Sequence, residues 1–284
     1  MNFLKSFFIS GYLTIATVIA GYGGWMLYRG GDIFVWGGVL LTVVPILLMI
    51  SRWMIFQNIA RTHAHFPLLN GLAILGTFIT IGQSDDGDIA PLLAAVGMIG
   101  LLIYIYWYSR LDRRTGSRIK IGDRLPDFTV TDVAGATVTA GQLTDRPAIL
   151  IFYRGNWCPL CMAQVKEMVG LYEEIRNMGV RVAFISPQPH TKTIALAKRF
   201  SVAFDFLTDR DNQAARHLGI ESPNGLPMGM QALGYDSDTV LPTVIITDQK
   251  GRVIWTHETD NYRVRPDPDV YLDILRQQGL GVKE

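Results

Sequence analysis

Cys158 and Cys161 are the only two cysteines of this 284-residue chain, and they form a C-x-x-C motif. The motif comes directly after the apolar run at residues 148–153 and before a helical pattern at residues 162–178. A short apolar run of this kind predicts a buried strand. A C-x-x-C motif where a strand meets a helix is typical of a dithiol that cycles between its reduced and disulfide forms. The spacing therefore predicts a redox-active site.

The position of the motif at a helix start predicts which thiol is the more reactive. Unpaired N–H groups and the positive end of the helix dipole favour a thiolate there. Because Cys158 lies nearer the helix start and follows Trp157, we expect Cys158 to have the lower pKa and to be the nucleophile. Cys161 then resolves the mixed disulfide. Pro159 fits the first helical turn, where a missing N–H costs nothing, and Trp157 either covers one side of the site or packs in the core.

Other uses of a cysteine pair fit the sequence less well. A structural zinc ion usually takes four Cys or His ligands. The five histidines are scattered, and none has paired metal-ligand spacing near the motif: His63, His65, His190, His217 and His257. A disulfide that closes so short a loop would constrain little of the unfolded chain, and two buried, inert thiols remain an alternative. We expect no metal and no cofactor besides the cysteine pair.

Composition divides the chain into two halves. A net charge of +1 indicates no strongly basic surface, so we expect no nucleic-acid partner. Four segments lack Lys, Arg, Asp and Glu: residues 6–28, 33–51, 62–84 and 89–109. Each approaches the roughly 20 apolar residues that span a bilayer, which predicts a four-helix transmembrane domain over residues 1–109 in contact with membrane lipid. The third segment contains Pro67 and Asn70, so three spans is the alternative.

Basic residues near the segment ends predict the orientation of the membrane domain. Lys5 precedes the first segment, Arg52 and Arg61 lie between the second and third, and five Lys or Arg residues lie between positions 110 and 120. The connection between the third and fourth segments has three aspartates and no basic residue, and only Arg29 departs from this pattern. The positive-inside rule then places both termini on the cytoplasmic side. We expect a multi-pass protein of the bacterial inner membrane.

A polar linker over residues 110–120 leads to a single domain over residues 121–284. Apolar runs predict strands at 128–131, 148–153, 180–186, 244–247 and 253–256, and helical patterns predict helices at 162–178, 191–200, 212–218 and 269–278. Gly179 would end the long helix in a left-handed conformation. Residues 248–251 would form the turn of a final antiparallel hairpin. Alternating strands and helices predict an α/β fold with a mixed sheet flanked by helices.

Motifs throughout this second domain resemble the peroxiredoxin-like, AhpC/TSA-type branch of the thioredoxin superfamily. They are IGDRLPDF at 121–128, FYRGNWCPLC at 152–161, FLTD at 206–209, AARHLGI at 214–220, LPTVII at 241–246 and DNYRVRP at 260–266. The resemblance implies a thioredoxin fold. In that fold Pro242 would be the cis-proline opposite the cysteines, and Thr243 would follow it in the facing strand. A trans proline before a strand is the alternative. The membrane half carries no comparable motif.

The chain departs from that branch at a hydroxyl position. Peroxiredoxins place Pro and then Thr or Ser before the peroxidatic cysteine, in the pattern P-x-x-x-T/S-x-x-C. When the final cysteine of this pattern is Cys158, the Pro position holds Ile151 and the Thr or Ser position holds Gly155. The hydroxyl that would polarise a peroxide is therefore absent, which favours general dithiol exchange over fast peroxide reduction. Arg154 either compensates by stabilising the thiolate or is solvated.

Together these features predict a membrane-anchored thiol–disulfide oxidoreductase that acts on a protein disulfide through Cys158 and Cys161. The enzymatic alternative is a peroxiredoxin-type hydroperoxide reductase, in which Cys158 becomes a sulfenic acid and Cys161 condenses with it. Thioredoxin and glutathione keep cytosolic thiols reduced, so we expect one of these systems to be the electron donor. Two non-enzymatic alternatives are a redox-inert module that recruits a partner and a soft-metal carrier, to which Met228 and Met230 would add ligands.

Overall fold

The structure is a computed structural model, and it describes residues 2–111, 113, 116–200, 202–236 and 238–279. The chain forms two compact units. One unit is helical and comprises Leu4–Gln57 and Thr62–Arg110. The other is built mainly from residues after Arg110, together with Asn58–Arg61 and the first residues of the chain. Parts of the expected linker over 110–120, and residues 280–284 of the expected second domain, lie outside the described residues.

The first four helices are strongly apolar. They are α1 (Asn2–Tyr28), α2 (Ile33–Phe56), α3 (Pro67–Gln83) and α4 (Ala90–Ile103), the last continued by a π-helical turn over Tyr104–Tyr108. Asp32 begins α2, because its carboxylate accepts the amides of Phe34 and Val35. Within the described residues, three helical stretches are long and apolar enough to cross a bilayer: Asn2–Tyr28, Ile33–Phe56 and Ala90–Tyr108. These helices fit a membrane domain.

The third helix is the reason that the expected count of four spans is not confirmed. Helix α3 is apolar but has only 17 residues. At 1.5 Å of rise per residue it is about 26 Å long, which is shorter than the roughly 30 Å hydrocarbon core of a bilayer. The structure therefore supplies three candidate spans and one shorter apolar helix.

Glycines allow α2 and α3 to pack closely. A methyl group added at Gly38 would lie 2.6 Å from the carbonyl oxygen of Gly76, and one added at Gly76 would lie 2.4 Å from the carbonyl oxygen of Gly38. Thr80 of α3 also donates a hydrogen bond of 3.1 Å to the Val35 carbonyl of α2. Small residues and interhelical hydrogen bonds of this kind hold helices together where lipid supplies no hydrophobic driving force.

The second unit contains a seven-stranded mixed sheet with the strand order β2-β1-β5-β4-β3-β8-β9 and a separate two-stranded sheet of β6 and β7. The strands are β1 (Thr129–Thr131), β2 (Thr137–Thr139), β3 (Ala148–Phe152), β4 (Arg181–Ser186), β5 (Asp205–Thr208), β6 (Glu221–Ser222), β7 (Thr239–Val240), β8 (Thr243–Thr247) and β9 (Val253–Glu258). The helices are α5 (Ala140–Leu143), α6 (Pro159–Gly170), α7 (Tyr172–Asn177), α8 (His190–Arg199), α9 (Gln213–Leu218) and α10 (Pro268–Gln277).

Strand β3 is an interior strand of this sheet and leads to the cysteine motif. It pairs in parallel with β4 and antiparallel with β8, and all five of its residues are buried. Leu150 and Phe152 belong to a core cluster that includes Ala215 and Leu218 of α9. Ile149 and Ile151 alternate onto the opposite face, as the two-residue period of a strand requires. A strand covered on both faces is a continuous apolar run in the sequence.

The predicted α/β fold with a mixed sheet flanked by helices is confirmed, and the predicted strands agree with β1, β3, β4, β8 and β9 to within two residues. The hairpin turn before β9 is present, with Gly251 at φ 73°. Gly179 has φ 69°, the expected left-handed conformation. The predicted helix at 162–178 begins earlier, at Pro159, and is interrupted at Leu171. The apolar runs and helical patterns did not predict β2, β5, β6, β7 or α5, each of which has only two to four residues.

The buried carboxylate of Asp209 leads to a prediction about how stability depends on pH. Asp209 follows β5, and its carboxylate accepts the amides of Ala214 and Ala215 at the start of α9, at 2.8 and 2.9 Å. Burial raises the pKa of Asp209 from 3.8 to about 6, although these amide hydrogen bonds oppose the shift. The folded state therefore binds the proton more tightly than the unfolded state does. The resulting stability is present below pH 4 and is lost as the pH rises through about 6.

We expect Asp209→Asn to flatten the decline in the free energy of unfolding between pH 4 and pH 7. The part of this decline that Asp209 causes is about 3 kcal/mol, because each pKa unit between the folded and unfolded states corresponds to about 1.36 kcal/mol. Thermal midpoints of the detergent-solubilised chain across that pH range measure it. The exposed carboxylate of Asp273 gives the matched control Asp273→Asn. Equal pH slopes for Asp209→Asn and the wild type would contradict the assignment.

Candidate active site

The cysteine motif lies where β3 ends and α6 begins. Cys158 is the N-cap of α6, with extended backbone (φ −87°, ψ 110°), and its carbonyl accepts the amide of Met162 at 3.1 Å. Pro159 occupies the first helical position, as predicted. Cys161 lies in the first turn of the helix. The fold therefore places both sulfurs at the N-terminal end of α6, where the helix dipole favours negative charge.

The loop before the motif depends on Gly155. This residue has φ 138°, a conformation that favours glycine, and its carbonyl accepts the amide of Cys158 at 3.2 Å. A methyl group added at Gly155 would lie 2.7 Å from Nε1 of the Trp157 side chain. The half-buried Trp157 ring thus fills the space next to Gly155. No hydroxyl-bearing side chain fits there without a shift of this ring.

Both cysteines are reduced and almost fully buried, with exposed fractions of 2% for Cys158 and 1% for Cys161. The Cys158 thiol donates a hydrogen bond to the Cys161 sulfur. Because neither sulfur is open to solvent in this conformation, a substrate reaches them only after part of the surrounding structure moves.

Arg265 is the group that controls the charge of the pair. It is buried, and its Nη2 donates to the Cys161 sulfur at 3.3 Å. Its Nε donates to the Tyr262 carbonyl at 3.3 Å, and its Nη1 donates to the Gln164 side-chain oxygen. The Gln164 amide in turn donates to the Tyr271 hydroxyl at 3.2 Å. Of the acceptors that the described residues give to Arg265, only the Cys161 sulfur can ionise.

Burial, hydrogen bonding and the charge of Arg265 shift the pKa values of the two thiols in opposite directions. Burial raises the pKa of Cys158 well above its ordinary value, and the hydrogen bond to Cys161 raises it further. Burial also acts to raise the pKa of Cys161, but the hydrogen bond from Cys158 and the positive charge of Arg265 outweigh it, so that pKa is lowered. These directions run opposite to the prediction that Cys158 has the lower pKa. The helix start acts on both sulfurs, whereas the guanidinium contacts one.

Arg154 is buried, so the alternative of a solvated arginine was wrong. Its guanidinium carbon lies 4.6 Å from the centre of the Trp157 ring and 5.3 Å from that of Tyr262. Its Nη2 donates to the Gly225 carbonyl at 2.6 Å, and its own carbonyl accepts the Thr239 hydroxyl at 2.9 Å. The positive charge of Arg154 acts to lower the pKa of Cys158, although less than burial raises it.

The rest of the active-site loop is held by polar contacts from two other segments. The amide of Asn156 donates to the buried side-chain oxygen of Gln188 at 2.7 Å. The Asn156 side chain accepts the Tyr235 hydroxyl at 2.5 Å. Tyr235 and Gly225 both lie in the segment between β6 and β7. This segment therefore contacts the loop at Arg154 and at Asn156, directly before the first cysteine.

The expected cis-proline is not present. No peptide bond within the described residues is cis, so the bond before Pro242 is trans. The Leu241 amide donates to the Ile220 carbonyl at 2.8 Å, and the Pro242 carbonyl accepts Nη2 of Arg113 at 3.1 Å. These contacts hold the approach to β8 with a trans bond, which is also the intrinsic preference of an X–Pro bond. Thr243 begins β8 and pairs with Phe152 at the end of β3, as expected for the facing strand.

Sequence reasoning missed four groups that support the site: Gln164, Gln188, Tyr235 and Arg265. Only Arg265 lay within a motif used for the resemblance, DNYRVRP at residues 260–266. The other three are polar residues in segments without a distinctive pattern. No group of three or more His, Cys, Asp or Glu side chains within the described ranges is placed to hold a metal ion. Met228 is exposed in the segment between β6 and β7.

The sequence of this chain is similar to those of several known proteins. Residues 121–256 match the AhpC/TSA family. The chloroplastic peroxiredoxin Q of Triticum aestivum is 29% identical over 105 residues, which cover 37% of this chain and 48% of that protein. This chain thus spans about half the length of that relative. The thiol-disulfide oxidoreductase ResA of Bacillus cereus is 24% identical over 163 residues, which cover 57% of this chain and 81% of that protein.

Two solved structures also align with part of this chain. The peroxidoxin BcpB of Mycobacterium tuberculosis aligns with 59% of this chain and 100% of its own, at 20% identity and a TM-score of 0.48. A peroxiredoxin-like protein of Aquifex aeolicus aligns with 57% of this chain and 90% of its own, at 16% identity and a TM-score of 0.48. By sequence, residues 121–256 of this chain are thus similar to the AhpC/TSA family, and the chain is also similar to a peroxiredoxin Q and to the thiol–disulfide oxidoreductase ResA.

Proposed function

We propose that the protein is a membrane-anchored thiol–disulfide oxidoreductase whose active group is the Cys158–Cys161 pair. The observation that carries this proposal is the buried contact between Arg265 and the Cys161 sulfur at the start of α6. It supplies a stabilised thiolate beside a second, protonated thiol. Such a pair can open a disulfide and then close on itself, with no cofactor besides the two cysteines.

Cys158 is the sulfur that we propose carries the substrate. It is flanked by the half-buried residues Trp157 and Pro159, whereas Cys161 is flanked by fully buried residues and held by Arg265. The proton of Cys158 passes to Cys161 along their hydrogen bond, and the Cys158 sulfur attacks a substrate disulfide. One substrate thiolate leaves and takes up this proton. The Cys161 thiolate then attacks the Cys158 sulfur, and the second substrate thiolate leaves as the Cys158–Cys161 disulfide forms.

A hydroperoxide reductase is the second candidate, because the Cys161 thiolate beside a guanidinium is itself a nucleophile for peroxide. When the peroxiredoxin pattern P-x-x-x-T/S-x-x-C ends at Cys161, Cys158 takes the hydroxyl position and Arg154 takes the proline position. The Cys161 thiolate would take one peroxide oxygen to give a sulfenic acid, and the alkoxide that leaves would take a proton from water to become an alcohol. Cys158 would then attack that sulfur and release water, so two thiols and one hydroperoxide give a disulfide, an alcohol and water.

We further propose that the apolar helices anchor the protein in the bacterial inner membrane. The three candidate spans support an anchor, and the basic residues after α4 support a cytoplasmic location for the dithiol domain. On that side, thioredoxin- or glutathione-type donors would return the disulfide to two thiols. The protein would then act as a reductant of disulfides and not as a source of structural ones.

The membrane proposal predicts a defined pattern of protease accessibility. The full chain should stay in the membrane pellet after alkaline carbonate extraction. Protease added to inverted inner-membrane vesicles should remove the residues after Arg110, whereas protease added to spheroplasts should leave them intact. Digestion in spheroplasts alone would place the domain on the opposite side, and extraction into the carbonate supernatant would contradict the anchor.

Single-cysteine variants test the two candidate reactions. We expect Cys158→Ser and Cys161→Ser each to reduce turnover of insulin disulfides at least a hundredfold, since each step needs one of the sulfurs. Cys161→Ser should also accumulate a mixed disulfide on Cys158, identified by mass spectrometry of the full chain in detergent. The Cys158→Ser, Cys161→Ser double variant is the blank. Full turnover by Cys158→Ser would exclude the proposed role of Cys158.

The same variants separate peroxide chemistry from disulfide exchange. A dimedone adduct on Cys161 in peroxide-treated Cys158→Ser, together with rapid peroxide consumption by the wild type, would favour the hydroperoxide reductase. Absence of both reactions in the reduced wild type would favour a redox-inert recruiting module. Titration of the reduced chain with Cu(I) tests the soft-metal carrier.

The contact between Arg265 and the Cys161 sulfur leads to a prediction about the reduction potential of the cysteine pair. A guanidinium that stabilises the Cys161 thiolate favours the dithiol over the disulfide, and therefore makes the disulfide more oxidising. We expect Arg265→Met to lower the potential by about 30 mV or more, since about 30 mV corresponds to a tenfold change in a two-electron equilibrium. Arg265→Lys, which keeps the charge without the fork of N–H donors, should have an intermediate value.

Equilibration of the full chain with glutathione buffers measures this potential. The exposed Arg276 of α10 provides the matched control Arg276→Met. Equal potentials for Arg265→Met and the wild type would show that the contact with Cys161 does not stabilise the thiolate.

A further inference from the structure

Arg61 lies in the connection between α2 and α3, yet it belongs to the same compact unit as the dithiol. Its guanidinium contacts two elements of that unit. Nη2 donates to the Glu167 carboxylate of α6 at 2.5 Å, and Nη1 donates to the Asp267 carboxylate at 3.1 Å. Nε donates to the Pro266 carbonyl at 3.3 Å. Arg61 therefore joins α6 to the residues that precede α10.

The two elements that Arg61 joins also hold the charge contact of the dithiol. Cys161, Gln164 and Glu167 follow one another at three-residue intervals along α6, so neighbours in this row lie on the same side of the helix. The first two contact Arg265, at 3.3 Å from the Cys161 sulfur and 2.5 Å from the Gln164 oxygen. The third contacts Arg61. Arg61 thus adds a further contact to the row that begins at the sulfur.

On the other side of this row, Arg61 holds the main chain directly after Arg265. Pro266 is the next residue, and its carbonyl is one of the three acceptors of Arg61. Asp267 is the N-cap of α10: one of its carboxylate oxygens accepts the amide of Asp269 at 3.3 Å, and the other accepts Arg61. A functional contact requires its supporting groups to be fixed to within about 0.5 Å. Arg61 supplies that support for the backbone of Arg265.

Arg61 also supplies the positive charge that allows two carboxylates to lie close together. Burial raises the pKa of Glu167, Arg61 acts to lower it, and the negative charge of Asp267 acts to raise it. Without Arg61 the two carboxylates would repel each other across the contact between α6 and the start of α10. The side chains of Arg61 and Glu167 are each 30% exposed, so solvent weakens the ion pair and its contribution to stability is small.

We propose, on the basis of the dithiol function proposed above, that Arg61 is a positioning residue that holds Arg265 against the Cys161 sulfur. Through this contact it raises the reduction potential of the Cys158–Cys161 pair. The connection between α2 and α3 then takes part in the chemistry of the dithiol. Withdrawal of Arg61 from its carboxylate partners lowers the potential, although Arg61 contacts neither sulfur.

The reduction potential of Arg61→Met tests this role. We expect the equilibrium constant for reduction of the disulfide by glutathione to fall about threefold, which is roughly 15 mV, since a tenfold change is about 30 mV. Equilibration of the full chain in detergent with glutathione buffers is the measurement. Arg276 bridges Glu174 and Asp273 at 2.6 and 3.1 Å, so Arg276→Met is the matched control and should leave the potential unchanged. Equal potentials for Arg61→Met and the wild type would overturn the proposal.

A double variant separates positioning from the charge of Arg61 acting through space. If Arg61 acts through Arg265, its removal has no further effect once Arg265 is gone. We therefore expect Arg61→Met combined with Arg265→Met to have the potential of Arg265→Met alone. A further threefold decrease in the double variant would show that Arg61 acts independently of Arg265, and would overturn the proposal.

The variant Arg61→Lys keeps the charge but loses the fork of N–H donors that reaches both carboxylates. We expect its potential to lie between those of the wild type and Arg61→Met. If Arg61→Met fails to fold, Arg61→Lys is the decisive variant, and a wild-type potential for it would overturn the proposal. A lower thermal midpoint of Arg61→Met with an unchanged potential would show a purely structural role and would also overturn it.

Thiolate absorbance separates this proposal from the proposed function, because titration of Cys161 in the reduced full chain needs no turnover. Arg61→Met should raise the midpoint of that titration by about half a pH unit, a threefold change. Such a shift, together with no turnover of insulin disulfides by the wild type, would retain the positioning role and reject the oxidoreductase. Turnover by the wild type with equal midpoints and equal potentials would retain the oxidoreductase and reject the role of Arg61.

Discussion

A guanidinium buried in protein needs an anion beside it, because the free-energy penalty of an unpaired buried charge is several kcal/mol. Arg265 meets this requirement through the Cys161 sulfur, the only ionisable acceptor that it has among the residues the structure describes. The surrounding contacts keep the pair in place: Gln164 fixes the second arm of the guanidinium, and Tyr271 fixes Gln164. The charge distribution of the dithiol thus follows from one side chain after the last strand, and not from the helix start alone.

The remaining parts of the site place the two sulfurs in reach of that guanidinium. Strand β3, buried on both faces, fixes the point at which the chain leaves the sheet. Gly155 then turns the loop, and Cys158 caps α6 so that Cys161 lies one turn inside it. Arg154, packed between two aromatic rings, joins this loop to the segment between β6 and β7. The result is a dithiol that is electrostatically polarised and sterically closed.

Local signals in the sequence were sufficient for much of this arrangement. The apolar run at 148–153, the C-x-x-C spacing and Pro159 predicted the strand, the dithiol and the helix start, because each depends on neighbours along the chain. The charge of Cys161 depends on Arg265, which is 104 residues away and meets it only after the sheet has formed. The predicted order of the two pKa values could not include this contact. The trans bond at Pro242 was missed for a similar reason, since it accompanies contacts from Arg113 and Ile220 that no local pattern reports.

The burial of both sulfurs has a kinetic consequence. If the closed conformation must open before any reagent can touch a sulfur, then the opening rate sets an upper limit on every reaction of the dithiol. Small oxidants at low concentration would compete for a briefly accessible state, whereas a partner that binds the segment between β6 and β7 could lengthen its lifetime. The closed site would then select partners by how long they keep it open. The intrinsic reactivity of their sulfur or oxygen atoms would matter less.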